Sequence, residues 1–391
     1  MIFSSASLIN LVKSSKVLYR IYYYVGSVFI RLLKLFLIPD EKLIVFNSFG
    51  GRKFDDSPRS IYEAIIKDSR FDNYKLVWAF CSPNDFTIQR GEKVKVDSLI
   101  YYMKVLKARI WITNTTMTRA LNFTGINTFS LNTWHGSAIK KIGYDINDYG
   151  SVFSSKGNSS NDIYLAQSQY DIRVFSNAFH VDPFRIKVIG LPRNDELVED
   201  NINRNLCIRK KLKIPIEKRI ILYAPTFRDY LKDGADCVFK FPIDFNMWKR
   251  ELGDEYIILL RVHHAVIKIL NLNENDYLRN VSSYPNLNDL MLVSDLLISD
   301  YSSIMFDFSI LGKPIFCYTY DYDRYEKERG MYFDIRKELP SESDEDSLIK
   351  LIKEGDYSEF SEKTVRFREK YVTEYGSASQ KAVDIIYDAI N

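Results

Sequence analysis

The stretch Lys42-Leu-Ile-Val-Phe-Asn-Ser-Phe49, followed by Gly50-Gly51 and Ser57-Pro58, predicts the first unit of the fold. The apolar run is typical of a buried strand, the glycines of a turn, and the proline of the first turn of a helix. Further strands are predicted at residues 74–81, 109–113, 128–134, 163–166 and 185–190, with helices at 98–107 and 168–179 between them. This alternation implies a parallel sheet with helices on both faces.

A second alternating block follows a charged segment at about residues 194–218, which has few strand signals. Its predicted strands are residues 219–224, 256–262, 296–299 and 314–318. We therefore expect an α/β protein with two Rossmann-like domains that face a cleft. The predicted division is an N-terminal helix at residues 1–39, domains at 40–200 and 201–375, and a C-terminal helix at 376–391.

The composition excludes several classes of protein. The chain has 391 residues, of which 46% are hydrophobic and 27% charged, so it is not intrinsically disordered. A net charge of +3 does not argue for nucleic acid as a partner. The cysteines are scattered without CxxC spacing, which argues against a zinc site or a disulfide framework: Cys81, Cys207, Cys237 and Cys317. No P-loop, dinucleotide fingerprint or GxSxG elbow occurs.

Residues 1–39 contain no acidic residue and no evident cleavage site, so a signal peptide is not expected. If this segment is helical, all its basic residues and Ser27 lie on one face, within an arc of about 60°. These basic residues are Lys13, Lys16, Arg20, Arg31 and Lys34. The longest uncharged run, residues 21–30, is shorter than the roughly 20 residues of a spanning helix. The pattern predicts a helix lying in an anionic membrane surface; the alternative is a core-packed helix with a solvated face.

The stretch Leu131-Asn-Thr-Trp-His-Gly-Ser-Ala-Ile-Lys-Lys-Ile-Gly-Tyr-Asp145 is the first candidate for the chemistry. His135 follows a predicted strand, and the next glycine lets a substrate approach the backbone, so the histidine suits a general base. Lys140 and Lys141 would favour anionic substrates. The alternative is a packed histidine in a strand-to-loop turn.

Polar residues also follow the strands of the second block. Ser299-Asp-Tyr-Ser-Ser303 precedes a predicted helix and indicates an anion site, although serine and aspartate are also ordinary N-caps. Arg261-Val-His263-His264 and Ala224-Pro-Thr-Phe-Arg228 end two other strands, and Gly190-Leu-Pro-Arg-Asn194 ends the first block. Because ligands bind at the carboxyl ends of parallel strands, we expect these four sets to share one site. Adjacent histidines point to opposite faces of an extended chain, so one metal between them is not expected.

Several of these motifs together resemble the CDP-glycerol glycerophosphotransferase family of teichoic acid synthesis. The resemblance runs from about residue 40 to 375 and includes Tyr223-Ala-Pro-Thr-Phe-Arg228, Ser299-Asp-Tyr-Ser-Ser-Ile-Met-Phe-Asp307, Lys313-Pro-Ile-Phe-Cys-Tyr318 and Arg329-Gly-Met-Tyr332. It implies a GT-B-like fold and transfer of a polyol phosphate from a CDP-polyol to a lipid-linked acceptor, at the cytoplasmic face of the membrane. The length resembles that of the shorter, primase-like members.

The resemblance also implies roles for particular residues. His135 would be the base and His263 the second essential histidine, and residues 40–200 and 201–375 would bind acceptor and donor. The family's usual His-Gly-Thr-Pro is His-Gly-Ser-Ala here, and His264 stands where proline is frequent. The expected donor-phosphate residues are Thr226, Arg228, Arg261, Ser302, Ser303 and Asp307. The expected acceptor-side residues are Lys140, Lys141, Asp145 and Arg193.

The expected partners are CDP-glycerol or another CDP-polyol, a lipid-linked saccharide acceptor and an anionic membrane surface. No cofactor, metal or nucleic acid is expected, and a homo-oligomer is left open. One alternative is a GT-B glycosyltransferase that uses a nucleotide-sugar in capsular polysaccharide synthesis. Another is a non-catalytic membrane-bound scaffold with a degenerate site, against which the retained His135 and His263 argue.

Overall fold

The computed structural model describes residues 15–123, 127–146, 162–199, 202–226, 228, 242–262 and 276–390. These residues form two β-sheets, and every strand pair within them is parallel. Helices lie between several of the successive strands, because a parallel pair needs a crossover connection. The predicted α/β class with two parallel sheets is confirmed.

The first sheet occupies the N-terminal half of the chain. Its strands are β1 (Asp40–Asn47), β2 (Lys75–Phe80), β3 (Glu92–Lys95), β4 (Ala108–Thr113), β5 (Phe129–Asn132), β6 (Asp162–Ala166) and β7 (Ile186–Val188). Its order is β3-β2-β1-β4-β5-β6-β7. The helices are α1 (Lys16–Leu35), α2 (Asp56–Ile65), α3 (Leu99–Lys107) and α4 (Gln169–Phe179).

The second sheet has the order β10-β9-β8-β11-β12-β13. Its strands are β8 (Arg219–Tyr223), β9 (Tyr256–Leu260), β10 (Leu278–Asn280), β11 (Leu296–Ser299), β12 (Ile315–Tyr318) and β13 (Ser341–Glu342). The helices here are α5 (Ile202–Lys211), α6 (Phe245–Leu252), α7 (Leu287–Val293), α8 (Ile304–Ser309), α9 (Tyr322–Arg329), α10 (Glu345–Glu354), α11 (Tyr357–Tyr371) and α12 (Ala378–Ile390). Strand β9 is buried along its whole length, as expected for a strand with helices on both faces.

Three strands were not predicted from the sequence: β3, β10 and β13. All three lie at sheet edges and have two to four residues. Strand β3, Glu-Lys-Val-Lys, buries only its valine. Edge strands are often short and charged, which limits pairing with other chains, so they lack the apolar run that marked the central strands.

One hydrophobic cluster joins the two sheets' helices. In it, the ring of Tyr170 in α4 packs 6.4 Å from Phe306 in α8 and 5.0 Å from Tyr371 in α11. The C-terminal helix α12 returns to the first sheet, where Val383 and Ile386 are fully buried. The boundary near residue 200 stays a proposal, supported by the position of β7 before it and β8 after it.

Helix α1 packs one face against the first domain. Ile30 is 2% exposed, and the hydroxyl of Tyr22 donates to the carbonyl of Arg119 at 2.9 Å. The hydroxyl of Ser27 accepts from the backbone N–H of Asn122 at 3.0 Å. Ser27, which helix geometry groups with the basic residues, is buried in the structure. The loop at 119–122 covers the Ser27 side chain. The burial is tolerated because the backbone N–H of Asn122 donates a hydrogen bond to the Ser27 hydroxyl.

The opposite face of α1 is apolar and exposed. Its exposed side chains, 44–77% accessible, are Val17, Ile21, Tyr24, Val25, Val28, Phe29, Leu32 and Leu35. The apolar circumference is thus divided between a packed face and an exposed one. Packing against the domain agrees with the alternative of a core-packed helix. Contact of the exposed apolar face with a membrane surface stays a prediction. No helix in the described ranges is long and apolar enough to cross a membrane.

Candidate active site

His135 lies in the turn that follows β5, in the first sheet. The turn is tightly wound, with Trp134 at φ 50° and Gly136 at φ 132°. The side chain of Asn132 closes it by accepting from the backbone N–H of Trp134 at 2.9 Å. Burial of β5 fixes the start of the turn, so the histidine emerges at the carboxyl edge of the sheet as predicted.

The imidazole is oriented by a neighbouring strand end. Nδ1 of His135 lies 3.0 Å from the backbone carbonyl of Asn114, just beyond β4. A carbonyl oxygen only accepts, so Nδ1 carries the proton and Nε2 keeps a lone pair. Burial lowers the pKa of His135 below its ordinary value, which favours the neutral ring. This is the protonation state that a general base needs.

Three non-glycine residues near the imidazole have left-handed backbone conformations. They are Phe49, Asp56 and Trp134, with φ of 49°, 63° and 50°. The ring of Phe49 is centred 6.0 Å from that of His135, and its N–H donates to the side chain of Asn114 at 2.8 Å. Such conformations cost energy and concentrate at functional sites.

The histidine turn contacts the second domain directly. A Cβ added to Gly136 would lie 3.0 Å from the Cβ of Ser303 and 3.1 Å from Nη2 of Arg193. At φ 132° the position also disfavours any other residue. The carboxyl edges of the two sheets therefore meet at this turn.

Arg193 bridges the two domains. Its Nη1 donates to Asp56 of α2 at 2.9 Å, and its Nη2 donates to Asp307 of α8 at 2.8 Å. The three side chains are 14%, 7% and 4% exposed. From the sequence, Arg193 was expected on the acceptor side and Asp307 on the donor side, whereas the structure pairs them with each other. Their predicted substrate contacts stay predictions.

Arg228 is also held by carboxylates. It is 2% exposed and forms ion pairs with Asp300 at 2.9 Å and Asp321 at 2.8 Å. Its guanidinium lies 4.9–5.2 Å from the ring centroids of Tyr301, Tyr320 and Tyr325. The expected contact of Arg228 with a donor phosphate stays a prediction, and the observed bonds fix the loop after β8 to the loops after β11 and β12.

Arg261 differs from these two arginines. Its Nη1 donates to the carbonyl of Tyr284 at 2.8 Å, and within the described ranges it has no carboxylate partner. Burial lowers its pKa, and the negative charge of Asp55 partly opposes this. At the end of β8, the hydroxyl of Thr226 is buried and has no hydrogen-bond partner among the described residues. Both groups are suited to bind an anion.

Ser302 and Ser303 precede α8. The hydroxyl of Ser302 accepts from the N–H of Ile304 at 3.4 Å, which is a weak cap. The Ser303 side chain makes no cap bond. Of the other predicted residues, His263 lies outside the described residues, as does His264.

The predicted acceptor-side segment also pairs with the second domain. The N–H of Lys141 donates to the carbonyl of Gly330 at 2.9 Å, and that of Tyr332 donates to Ile139 at 2.8 Å. The hydroxyl of Tyr332 donates to Asp145 at 2.6 Å. Lys140 forms an isolated antiparallel bridge with Met331. The segment after the histidine is thus hydrogen-bonded to residues 330–332 of the second domain.

The sequence motifs did not single out Asp56 or Asn114 as site residues. Asp56 begins α2, and Asn114 directly follows β4. The rule that polar residues at carboxyl strand ends converge could have singled out Asn114. No set of three or more metal-ligating side chains occurs in the described ranges, and the expectation of no metal stays a prediction.

A family model for CDP-glycerol:poly(glycerophosphate) glycerophosphotransferases matches residues 29–388. The chain belongs to this family. The resemblance found in the sequence is thereby confirmed, and the chain is a glycerophosphotransferase. The alternative of a capsular glycosyltransferase is not favoured.

Individual relatives agree with this assignment. The teichoic acid glycerol-phosphate transferase of Staphylococcus aureus is 33% identical over 373 residues, covering 90% of this chain and 94% of that protein. The teichoic acid poly(glycerol phosphate) polymerase of Staphylococcus epidermidis is 35% identical, and the match spans 51% of its length. The structure of the wall teichoic acid polymerase TagF is similar with a TM-score of 0.83 and 34% identity, covering 92% of both chains. This GT-B-like neighbour supports the predicted architecture.

Proposed function

We propose that this glycerophosphotransferase transfers glycerol phosphate, or a similar polyol phosphate, from a CDP-polyol to a hydroxyl of a lipid-linked acceptor. The product would be a teichoic acid or a related cell-surface polymer. The observation that carries the proposal is the contact of the His135–Gly136 turn with Ser303. It brings a candidate base from one sheet against the candidate donor edge of the other. A TagF structure soaked with CDPG adds support for this donor class.

His135 would act as the general base. Its Nε2 accepts the proton of the acceptor hydroxyl while that oxygen attacks the β-phosphorus of the CDP-polyol. The bond between the β-phosphorus and the bridging oxygen breaks, and CMP leaves with the electron pair. The product is a phosphodiester between the acceptor and the polyol. Neutral His135 donates from Nδ1 to the carbonyl of Asn114, which leaves on Nε2 the lone pair that this step needs.

The second domain would bind the donor. Arg261 and the hydroxyls of Thr226, Ser302 and Ser303 would contact the pyrophosphate, with His263 as a further donor-side group. Most of the rate gain in phosphoryl transfer comes from stabilising charge on the phosphoryl oxygens. Arg261 is the best-supported of these contacts, because it forms no ion pair with a carboxylate within the described ranges. Arg228 and Asp307 would position this edge.

Replacing Arg261 with methionine should weaken binding of CDP-glycerol by about 10- to 100-fold. A hydrogen bond to a charged group is worth about 1.5–3 kcal/mol, which corresponds to this loss. Isothermal titration calorimetry measures it. Arg219→Met is the matched control, since Arg219 lies at the amino end of β8, away from the carboxyl ends of the strands where the donor is proposed to bind. Equal affinities of both variants for CDP-glycerol would remove Arg261 from the donor site.

The exposed face of α1 supports a location at the membrane. We propose that α1 lies in the anionic cytoplasmic surface of a bacterial membrane and holds the cleft near its lipid-linked acceptor. The exposed apolar side chains would enter the interface, and Arg20 and Arg31, which are also exposed, would meet lipid headgroups.

Replacing both Val28 and Leu32 with aspartate should release the protein from anionic vesicles. These side chains are 53% and 54% exposed, so the folded protein should tolerate the change. Burying such a side chain is worth about 1.5–3 kcal/mol, and two new negative charges add repulsion. Vesicle flotation at low and high salt measures binding, with Ile216→Asp as the control because Ile216 is 78% exposed elsewhere. Unchanged flotation of the double variant would move the membrane contact away from α1.

Donor choice tests the proposed reaction as a whole. The protein would be incubated with a lipid-linked acceptor and either CDP-glycerol or CDP-ribitol, and the products weighed by mass spectrometry. Addition of polyol phosphate units from one of these donors is expected. If neither CDP-polyol is consumed while a nucleotide-sugar is, the proposal fails.

A further inference from the structure

Beyond the catalytic turn, a buried set of polar side chains surrounds Ser137. The hydroxyl of Ser137 donates to Oδ2 of Asp171 at 2.9 Å, and the backbone N–H of Gln167 donates to the same oxygen at 2.8 Å. The side-chain amide of Gln167 donates to the hydroxyl of Ser137 at 3.0 Å. Each of these side chains is at most 1% exposed. Ser137 is therefore held from two sides, two residues after His135.

The same set continues across the domain interface. The side-chain amide of Asn194 donates to Oε1 of Gln167 at 3.4 Å and to Oδ1 of Asp307 at 2.7 Å. Asp307 in turn accepts from Arg193. The bonds around Ser137 are thus connected to the ion pairs that join the two domains. Buried hydrogen bonds of this kind restrict the local motion of the side chains that make them.

Asp171 has no role in the proposed chemistry, yet its burial is costly. It lies in the first turn of α4, where the helix dipole favours a negative charge. Its second oxygen, Oδ1, has no hydrogen-bond partner among the described residues. Burial raises the pKa of Asp171 to about 7. A buried carboxyl with one oxygen that lacks a hydrogen-bond partner lowers the stability of the folded protein. This cost is consistent with a functional role for the two hydrogen bonds that Asp171 accepts.

We infer that Asp171 is a positioning residue, which holds Ser137 and thereby fixes the backbone of the His135–Gly136 turn against Ser303. The inference rests on the proposed role of His135 as base. Without the bond to Asp171, the turn is free to shift, and Nε2 loses its alignment with the acceptor hydroxyl. A misplacement of about 1 Å can cost roughly 10²-fold in rate.

Paired variants separate hydrogen bonding from charge. Asp171→Ala removes both accepted bonds and should lower kcat at least tenfold, while the Kd for CDP-glycerol stays within twofold. Asp171→Asn keeps an oxygen acceptor at the same place and should restore kcat to within about threefold of the parent protein. Asp295→Ala is the matched control. It removes a carboxylate that accepts from the N–H of Ile220 at 2.7 Å in the second domain, and should leave kcat unchanged.

A second readout needs no substrate. Modification of His135 by diethyl pyrocarbonate, followed by mass spectrometry of its peptide, reports the exposure of the ring. The rate should increase in Asp171→Ala but not in Asp171→Asn or Asp295→Ala. This readout keeps its meaning if CDP-glycerol is not the donor, so failure of the proposed reaction and failure of the positioning role are distinguishable.

Three results would overturn the inference. One is a kcat for folded Asp171→Ala within twofold of the parent protein, and another is an Asp171→Asn variant as impaired as Asp171→Ala. The third is a fall in donor affinity that matches the fall in kcat, which indicates general loosening. If Asp171→Ala does not fold, Ser137→Ala decides, because it removes the same bond from the other side. It should lower kcat with unchanged donor binding, and an unchanged kcat refutes the role.

Discussion

Replacing His135 with alanine is expected to lower the rate of transfer by about 10²- to 10⁴-fold, with unchanged affinity for CDP-glycerol. The variant lacks the nitrogen that accepts the acceptor's proton, while the proposed donor contacts lie in the other domain. His135→Asn should be equally inactive, although its amide can still donate to the carbonyl of Asn114. Initial rates of polymer extension and calorimetry with CDP-glycerol measure the two effects.

His180→Asn is the matched control for these variants. His180 stacks on Tyr144 at a centroid distance of 4.1 Å, and asparagine tolerates its left-handed backbone at φ 52°. The rate of this control should stay near that of the parent protein. More than a tenth of the parent rate in folded His135→Ala would exclude His135 as the base.

The pH dependence of the reaction should reflect the burial of His135. The base must be neutral, so activity is lost as pH falls through its pKa. Burial lowers this pKa from its ordinary value of about 6.5, so the acid limb of kcat/KM should have its midpoint below pH 6.5. A midpoint above that value would indicate that another group, or a different environment of His135, controls the rate.

Replacing Arg193 with methionine should destabilise the protein by about 3–5 kcal/mol. The change leaves Asp56 and Asp307 buried without their cation, and breaking a buried ion pair from one side has this cost. Denaturant unfolding followed by tryptophan fluorescence measures it. Arg336→Met is the matched control, because its pair with Asp334 is 42% exposed on the arginine side and such pairs contribute little.

A loss of stability in Arg193→Met no larger than in this control would contradict the bridging role. The variant should also separate the unfolding of the two domains, because Arg193 contacts both. The expected unfolding curve therefore has two transitions for the variant and one for the parent protein.

Burial explains which parts of the fold were predictable. Central strands such as β8 and β9 are buried along nearly their whole length, so their sequences contain continuous apolar runs that predict strands. Edge strands such as β3 have no such requirement and were missed. For α1, the sequence showed a wide apolar surface, but the division into packed and exposed faces depends on the loop at 119–122, which the helix pattern does not contain.

For the site, the sequence predicted which residues lie close together, but it did not predict their hydrogen bonds and ion pairs. The carboxyl-edge rule brought His135 and Ser303 to one place, and the structure has them there. Arg193 and Asp307 were assigned to opposite substrates because their sequence positions gave no sign that they form an ion pair. Asp56 and Asp171 were missed for a related reason. Their importance comes from contacts made by folding, while each sits at a helix start where aspartate is common.

The nucleotide released during transfer tests the central claim most directly. The protein would be given CDP-glycerol and a lipid-linked acceptor, and the released nucleotide identified by chromatography and counted against the units added. Attack on the β-phosphorus predicts one CMP for each glycerol phosphate added. Release of CDP, with glycerol added without its phosphate, would contradict the account, because the bond broken would then lie between carbon and oxygen.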